Sequence, residues 1–227
     1  LHVSAVIVAA GLGQRFGGST PKQFLSIAGK PILYYTLQIF EQCVAIEEVV
    51  VVAAEEWLSH ISHAVVDRFG LTKVKKVVAG GNHRQDSVYA GLKALDGPPE
   101  LVAVHDAVRP FVSAAKVDEV VSACLEHGAA ILAVPPKDTI KIEKDGFVEK
   151  TPFRDKLWSV QTPQVFRYDI ILEAYAKAYE CGVYQTDDSA LVERVGYPVK
   201  IVEGEELNFK ITVPLDLSLA EMILSAR

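Results

Sequence analysis

Gly11, Gly13, Gly17 and Gly18 crowd into one short stretch with Arg15, and Lys22 follows close behind. Without side chains, glycines let consecutive backbone N–H groups converge on an anion, and they tolerate positive φ. Free amide donors with two cations beside them suit a polyphosphate better than a single carboxylate. An isolated Gly-x-Gly turn is explained as well by loop geometry alone, with the Arg and Lys solvated, so the context must decide. A dinucleotide fingerprint would need a third glycine where Phe16 stands, a helix opening at once and an acid about twenty residues on. Pro21 interrupts such a helix, and Ile32, Leu33, Tyr34 and Tyr35 stand where the acid belongs. No Gly-Lys-Ser/Thr follows the glycines, so the P-loop pattern fails too.

These residues need a scaffold, and the preceding run Val3-Ser4-Ala5-Val6-Ile7-Val8-Ala9-Ala10 supplies its first piece. Small and β-branched apolar residues ending at glycine read as a strand buried on both faces of a parallel sheet. Pro31 opens a helix with Leu33, Leu37, Phe40 and Val44 at helical spacing. Val49 to Val52 give the next strand, 55–69 a helix, and Val74–Ala79 a third strand. That strand runs into Gly80-Gly81-Asn82-His83-Arg84-Gln85-Asp86-Ser87 and a helix carrying Val88, Leu92 and Leu95; Asn82 or Asp86 is placed to cap it. A fourth strand, 101–104, ends in His105-Asp106-Ala107-Val108-Arg109-Pro110. Val117, Val120, Val121 and Cys124 then mark a helix, and Ala129–Val134 a fifth strand. The alternation predicts an α/β fold, a single Rossmann-like, mostly parallel sheet with helices on both faces. Ligands of such sheets lie beyond the carboxyl ends of the strands, near a switch in strand order. Loops after the first, third and fourth strands would share one crevice.

After Pro135-Pro136 the pattern changes. Ile140, Ile142, Phe147 and Val148 alternate around Asp145-Gly146, which is a hairpin signal. Residues 138–153 are expected to leave the body as an arm that serves homodimerisation, the plainer alternative being a peripheral hairpin. The chain returns through Arg154 and Gln161-Thr162-Pro163-Gln164 to a helix at 168–181, where Thr186 or Asp187 caps the helix after it. A strand at 199–202 follows, Asn208-Phe209-Lys210-Ile211-Thr212 approaches the crevice again, and Pro214 starts the last helix. Residues 1–227 are expected to form one domain, with no second catalytic domain fused after the helix 215–226.

Half of the 227 residues are hydrophobic, enough for a sizeable core. A net charge of −6 argues against a non-specific nucleic-acid binder, which needs a broad basic surface. Any polyanion must meet locally concentrated cations. Cys43, Cys124 and Cys181 are scattered without CxxC spacing, which fits a reducing, cytoplasmic setting and small buried hydrophobes. His60 and His63, three apart, form no metal-ligand pattern with a thiol and read as solvated surface rather than metal ligands. No apolar run reaches the roughly 20 residues of a membrane span, and no secretory pattern is evident.

The stretch AAGLGQRFGGSTPKQFL resembles the signature loop of the sugar-nucleotide pyrophosphorylases and cytidylyltransferases. Its PKQ form, with GGNHRQDSV, VHDAVRPFV, DTIK, Arg154 before Leu157-Trp158, QTPQ and NFKIT in order, is similar to the methylerythritol-phosphate cytidylyltransferase family over essentially the whole chain. The resemblance implies that CTP and a polyol phosphate react with the help of Mg²⁺, without a dedicated protein cage for the metal. By the same resemblance Arg15, Lys22 and Lys210 are catalytic, and Ala10, Gly11 and Gly13 hold the triphosphate. Gly81, Asn82 and Ser87 meet the cytosine, and Asp106, Ala107 and Arg109 lie against ribose and polyol. Thr139, Arg154 and Thr162 take the acceptor phosphate, with Lys210 and Asp106 beside it; Thr139 and Arg154 would serve a neighbouring subunit. Gln14, where relatives often carry a second basic residue, weakens the phosphate field slightly. Asn82, where they often carry an acid, leaves no carboxylate to contact the base. A ribitol-phosphate cytidylyltransferase shares much of this loop set. A nucleotide-binding module without catalysis would not need both Lys22 and Lys210.

Overall fold

A computed structural model describes residues 1–11 and 20–226; Gly13, Gln14 and Arg15 lie outside the described residues. The strands in chain order are β1 (Val3–Val8), β2 (Ser26–Ile27), β3 (Lys30–Pro31), β4 (Glu48–Ala53), β5 (Val74–Ala79) and β6 (Leu101–Asp106). They continue with β7 (Ala129–Val134), β8 (Ile142–Lys144), β9 (Phe147–Lys150), β10 (Ser159–Arg167) and β11 (Lys200–Glu203). The helices are α1 (Ile32–Gln42), α2 (Leu58–His60, running on as a π-type stretch Ile61–Asp67), α3 (Arg84–Ala94) and α4 (Ala114–His127). After them come α5 (Tyr168–Glu180), α6 (Asp188–Arg194) and α7 (Pro214–Ser225).

Seven strands form the main sheet in the order β11-β7-β10-β6-β1-β4-β5. β1 runs parallel to both β4 and β6, and β4 is parallel to β5. From β1 the chain builds outward through β4 and β5, then returns to β1's other side with β6. That reversal is the switch point, and it lies between β1 and β6. β10 runs antiparallel to both β6 and β7, a strand that the QTPQ segment conceals because Pro163 reads as a strand breaker. The pairing with β7 shifts between Val160 and Gln164, and that irregularity accommodates the proline.

Alternation along β1 explains why both faces are covered. Val3, Ala5 and Ile7 join a core with Leu33, Leu37 and Phe40 of α1 and Val117, Val120 and Cys124 of α4. Val6 faces the opposite core, with Val88 and Leu92 of α3, Ile171 and Tyr175 of α5 and Leu191 of α6. Gly91 lets α3 approach closely, since a Cβ there would stand 2.4 Å from Val6 Cγ1 and 2.8 Å from Val52 Cγ2. A smaller core of Ile27, Ile32, Phe111, Ile211 and Ala220 seats α7.

Three local expectations change. Val44 does not extend the apolar face of α1: the helix ends at Gln42, and Val44 is 91% exposed. Cys181 is exposed, unlike buried Cys43 and Cys124. His83, not Asn82, is the N-cap of α3, where Asp86 accepts the His83 N–H at 3.1 Å. β8 and β9 form a separate two-stranded sheet, and positive φ at Asp145 and Gly146 matches a tight hairpin turn. Every residue from 137 to 151 is exposed, with Phe147 at 78%.

Candidate active site

The register of the central strands sets the site. Val8 pairs with Val52 on one side and Asp106 on the other, so β1, β4 and β6 end level. Backbone bonds from Ala9 N to Val52 O (2.7 Å), Ala107 N to Val8 O (3.0 Å) and Gly80 N to Ala53 O (2.8 Å) hold the exits together. The loops after β1, β5 and β6 therefore open into one cleft of about 700 Å³. Ala10, Gly11 and Lys22 line it from the first loop. Gly81, Asn82 and Ser87 line it from the third strand's loop, and Asp106 and Ala107 from the fourth's. Lys210 closes the far side, brought in by the segment ahead of α7.

Each wall is fixed by buried polar contacts. Gln23, itself buried, donates to Ala9 O (2.6 Å) and Gly11 O (3.1 Å), so the PKQ motif supports the exit from β1. Thr36 on α1 donates to Ala107 O at 2.8 Å. Ser87 Oγ accepts from Gly81 N–H at 3.2 Å and donates to His83 O at 3.2 Å. A Cβ on Gly80 would stand 2.6 Å from Ser87 Oγ, and one on Gly81 2.4 Å from Asp86 Cβ. The glycine pair is thus a packing requirement as well as a binding surface. Lys22 Nζ donates to Ile211 O at 2.8 Å, which sets Lys22 beside the residue that follows Lys210.

Asp106 is the electrostatic centre. Lys210 Nζ lies 2.8 Å from its Oδ2, Arg84 Nε 3.3 Å from its Oδ1, and Arg109 Nε 3.8 Å from Oδ2. Burial alone would raise the Asp106 carboxyl, but Arg84, then Lys210 and Arg109, hold it far below the usual carboxylate range. Arg84 also reaches Asp188 on α6 at 2.9 Å, and Asp188 accepts a hydrogen bond from Tyr175 on α5. Burial opposes the Arg84 charge, yet Asp188 and Asp106 outweigh it and raise its pKa. Burial, partly offset by Asp106, lowers that of Arg109. Two carboxylates and three cations leave this cluster net positive, and Lys22 adds to that, while Glu55 and Glu56 line the cleft as well. Such a surface attracts and neutralises phosphates.

Not every expected residue faces this cleft. Arg109 is directed into the floor and donates from Nη1 to Asn208 O at 2.7 Å. Thr162 is buried beneath the floor, where its Oγ1 accepts from Asp106 N–H at 3.1 Å. Thr139 and Arg154 meet each other at the base of the arm, Arg154 Nη2 standing 3.4 Å from Thr139 Oγ1; neither lines the cleft of its own chain. Gly13 and Arg15 lie outside the described residues. Sequence reasoning left Arg84 without a role although it stands inside GGNHRQDSV, because its partner Asp188 is remote in sequence. Among the described residues no cluster of three His, Cys, Asp or Glu side chains could hold a metal ion. His63 instead pairs with Asp67 at 3.0 Å, and His60 packs edge-on against Phe24 and Trp57. No helix among the described residues is long and apolar enough to cross a membrane.

Comparison with known proteins agrees with this geometry. The family model for 2-C-methyl-D-erythritol 4-phosphate cytidylyltransferase matches residues 3–226. The 2-C-methyl-D-erythritol 4-phosphate cytidylyltransferase of Pelotomaculum thermopropionicum is 48% identical over 226 residues, covering 99% of this chain and 95% of the relative. The corresponding protein of Caldanaerobacter subterraneus is 46% identical, covering 99% of each. Among solved structures, 4-diphosphocytidyl-2C-methyl-D-erythritol synthase from Anaerococcus prevotii superposes with a TM-score of 0.87 at 34% identity, over 99% of this chain and 96% of that one.

Proposed function

The chain belongs to the 2-C-methyl-D-erythritol 4-phosphate cytidylyltransferase family, and we propose on that premise that it transfers the cytidylyl group of CTP to 2-C-methyl-D-erythritol 4-phosphate. The products are 4-diphosphocytidyl-2-C-methyl-D-erythritol and pyrophosphate, and the step belongs to isoprenoid precursor biosynthesis. One observation carries the reading: Lys22 and Lys210, from opposite ends of the chain, line the same cleft beside Asp106. Mere nucleotide binding does not require a cation from each side.

A phosphate oxygen of the acceptor attacks the α-phosphorus of CTP, the bond to the β-phosphate bridging oxygen breaks, and pyrophosphate leaves. No enzyme nucleophile is involved. Two anions must meet, so catalysis rests on positioning and on neutralising charge that accumulates on phosphoryl oxygens. Lys22 and Lys210 flank the α-phosphate, while Arg15 and the amides of Ala10, Gly11 and Gly13 hold the triphosphate. Gly81, Asn82 and Ser87 contact the cytosine in a loop too tight for a purine. Asp106, Ala107 and Arg109 order the ribose and acceptor side.

Mg²⁺ fits this site as part of the nucleotide substrate. Asp106 would be the carboxylate nearest a Mg²⁺ that arrives with the triphosphate, but both its oxygens already face cations, so it would not form a cage for the metal. The metal neutralises triphosphate charge when bound. Residues 1–227 act as one nucleotidyltransferase domain in the cytoplasm, and the arm at 138–153 pairs two copies. Exposed Phe147 and Val148 near the arm tip and Phe153 at its root support that pairing, since exposed apolar side chains favour burial. Thr139 and Arg154 then bind the acceptor phosphate of the partner's site, together with Thr162.

The test is pyrophosphate release with Mg²⁺ and CTP, run with methylerythritol 4-phosphate and with ribitol 5-phosphate, then repeated with ATP, GTP and UTP. Release with the first acceptor and CTP alone is expected. Release only with ribitol phosphate moves the protein to the sister activity, and silence with both acceptors overturns the catalytic reading.

A further inference from the structure

Lys210 reaches the cleft from a segment without helix or strand, between β11 and α7. Its placement is therefore set by anchors on either side of it. Downstream, fully buried Ile211 joins the core that seats α7; its N–H donates to Val108 O at 2.9 Å, and its carbonyl accepts from Lys22. The upstream anchor is polar. Asn208 is also fully buried, and its Nδ2 donates to Gln161 Oε1 at 3.1 Å and to Thr162 O at 2.9 Å. Asn208 O accepts from Arg109 Nη1 at 2.7 Å.

Gln161, the first glutamine of QTPQ, holds this upstream anchor, and the reaction above gives it no role. It is buried, its Nε2 donates to Glu205 O at 2.9 Å, and its Oε1 stands 3.4 Å from Glu205 N. A carbonyl only accepts, so Glu205 O fixes which end of the Gln161 amide faces it, and Thr162 O does the same for Asn208. Both orientations leave Gln161 Oε1 facing the Asn208 amide hydrogens. The side chain reaches from β10 past the end of β7, whose Ala133 pairs with Val160 and accepts from Gly204 N–H at 2.8 Å. Gly204 makes the passage, since a Cβ there would stand 2.4 Å from Gln161 Oε1. The Glu205 carboxylate fastens the outer side of the same turn, accepting from Ser113 N–H at 3.0 Å and Ser113 Oγ at 2.8 Å ahead of α4.

We propose that Gln161 is a positioning residue for Lys210: its amide holds the turn at 205–208 and so sets where the Lys210 ammonium stands against Asp106 and the phosphates. This inference rests on the cytidylyl-transfer reading for its kinetic consequence but not for the tether itself. Gln161→Met should loosen the turn without unfolding the chain. Glu205 O would keep the Asn208 N–H at 2.9 Å, and Asn208 Nδ2 would keep Thr162 O.

The test is pyrophosphate release with CTP, Mg²⁺ and methylerythritol 4-phosphate for Gln161→Met, alone and combined with Lys210→Ala. Alone it should lower kcat about tenfold with KM for CTP within about threefold. Beside Lys210→Ala it should cost less than about twofold more, because the group it positions is already gone. The same factor in both backgrounds would mark Gln161 as a general structural residue and overturn the proposal. Gly204→Ala is the second variant. Its Cβ meets the far end of a flexible side chain, so the chain should fold, the Gln161 amide should be displaced, and the kcat loss should recur without adding to that of Gln161→Met. Normal turnover in both variants overturns the proposal. Hydrogen exchange of the full chain judges the tether without turnover: Gln161→Met should speed exchange at the Asn208 amide about tenfold and leave the Ile211 amide unchanged. Equal exchange at Asn208 in wild type and variant removes the tether. Wild-type protein inactive with CTP would instead sink the functional reading and leave exchange to judge the tether.

Discussion

The cleft floor and the arm differ in almost every physical respect. Asp106 is buried among Arg84, Arg109 and Lys210, and two of those side chains are held a second time, Arg84 by Asp188 and Arg109 by Asn208 O. The arm is a two-stranded ribbon that pairs only with itself, with Phe147 and Phe153 both 78% exposed. An isolated hairpin is marginal in water. The cleft floor is therefore held by one chain's own packing, whereas Thr139 and Arg154 stand at the root of an element whose apolar surface has no cover within the described chain.

Substitutions at the floor should strike catalysis or folding, and those at the arm should strike acceptor use. Lys22→Ala and Lys210→Ala should each lower turnover by roughly a hundredfold to a thousandfold, the scale of losing one charge-stabilising group. Near-normal pyrophosphate release in both variants would remove the floor from the chemistry. Arg84→Met should cost about 3 kcal/mol of stability in urea unfolding, because it leaves buried Asp188 without its cation. A smaller loss would show that water replaces the guanidinium.

Acidification should separate the regions next. His105 gains its proton near pH 4 in the fold but near 6.5 in the unfolded chain, so the unfolded state binds more protons between these values. Stability should fall by up to roughly 3 kcal/mol as pH drops through that window and stay insensitive to His105 above it. A urea midpoint independent of pH between 6.5 and 4 would contradict a neutral, buried His105. Arg154→Ala should raise acceptor KM by about ten- to hundredfold, the range for losing a charged hydrogen bond, with CTP binding unchanged. Deleting residues 141–149 should give the same acceptor defect together with monomers in sedimentation. A deletion variant that stays dimeric would take the arm out of dimerisation.

Much of the scaffold was legible in residue order. β5 and β7 were placed at their observed bounds: β7 is an uninterrupted apolar run ending at proline, and β5, though it carries Lys75 and Lys76, closes with Val77-Val78-Ala79 against a glycine pair. The Asp145-Gly146 turn was equally plain, because positive φ at both positions restricts which residues fit. β10 was not legible, as a proline inside it contradicts the usual strand pattern. That omission hid the strand that carries Thr162 beneath Asp106, and with it the contact between Thr162 and buried His105.

The sequence by itself determined the periodicities of the sheet and helices, the glycine loops at strand ends, and the lysines and arginines a phosphate site requires. These are local properties, set by side-chain shape, backbone freedom and charge within a few residues. Only the tertiary structure decided that Lys22 comes to rest against Ile211, that Arg84 bridges Asp106 and Asp188, and that Thr162 lies beneath the cleft instead of in its wall. Those contacts join remote segments, and they arise from the strand order that places β6 between β1 and an antiparallel β10, an arrangement no local pattern encodes.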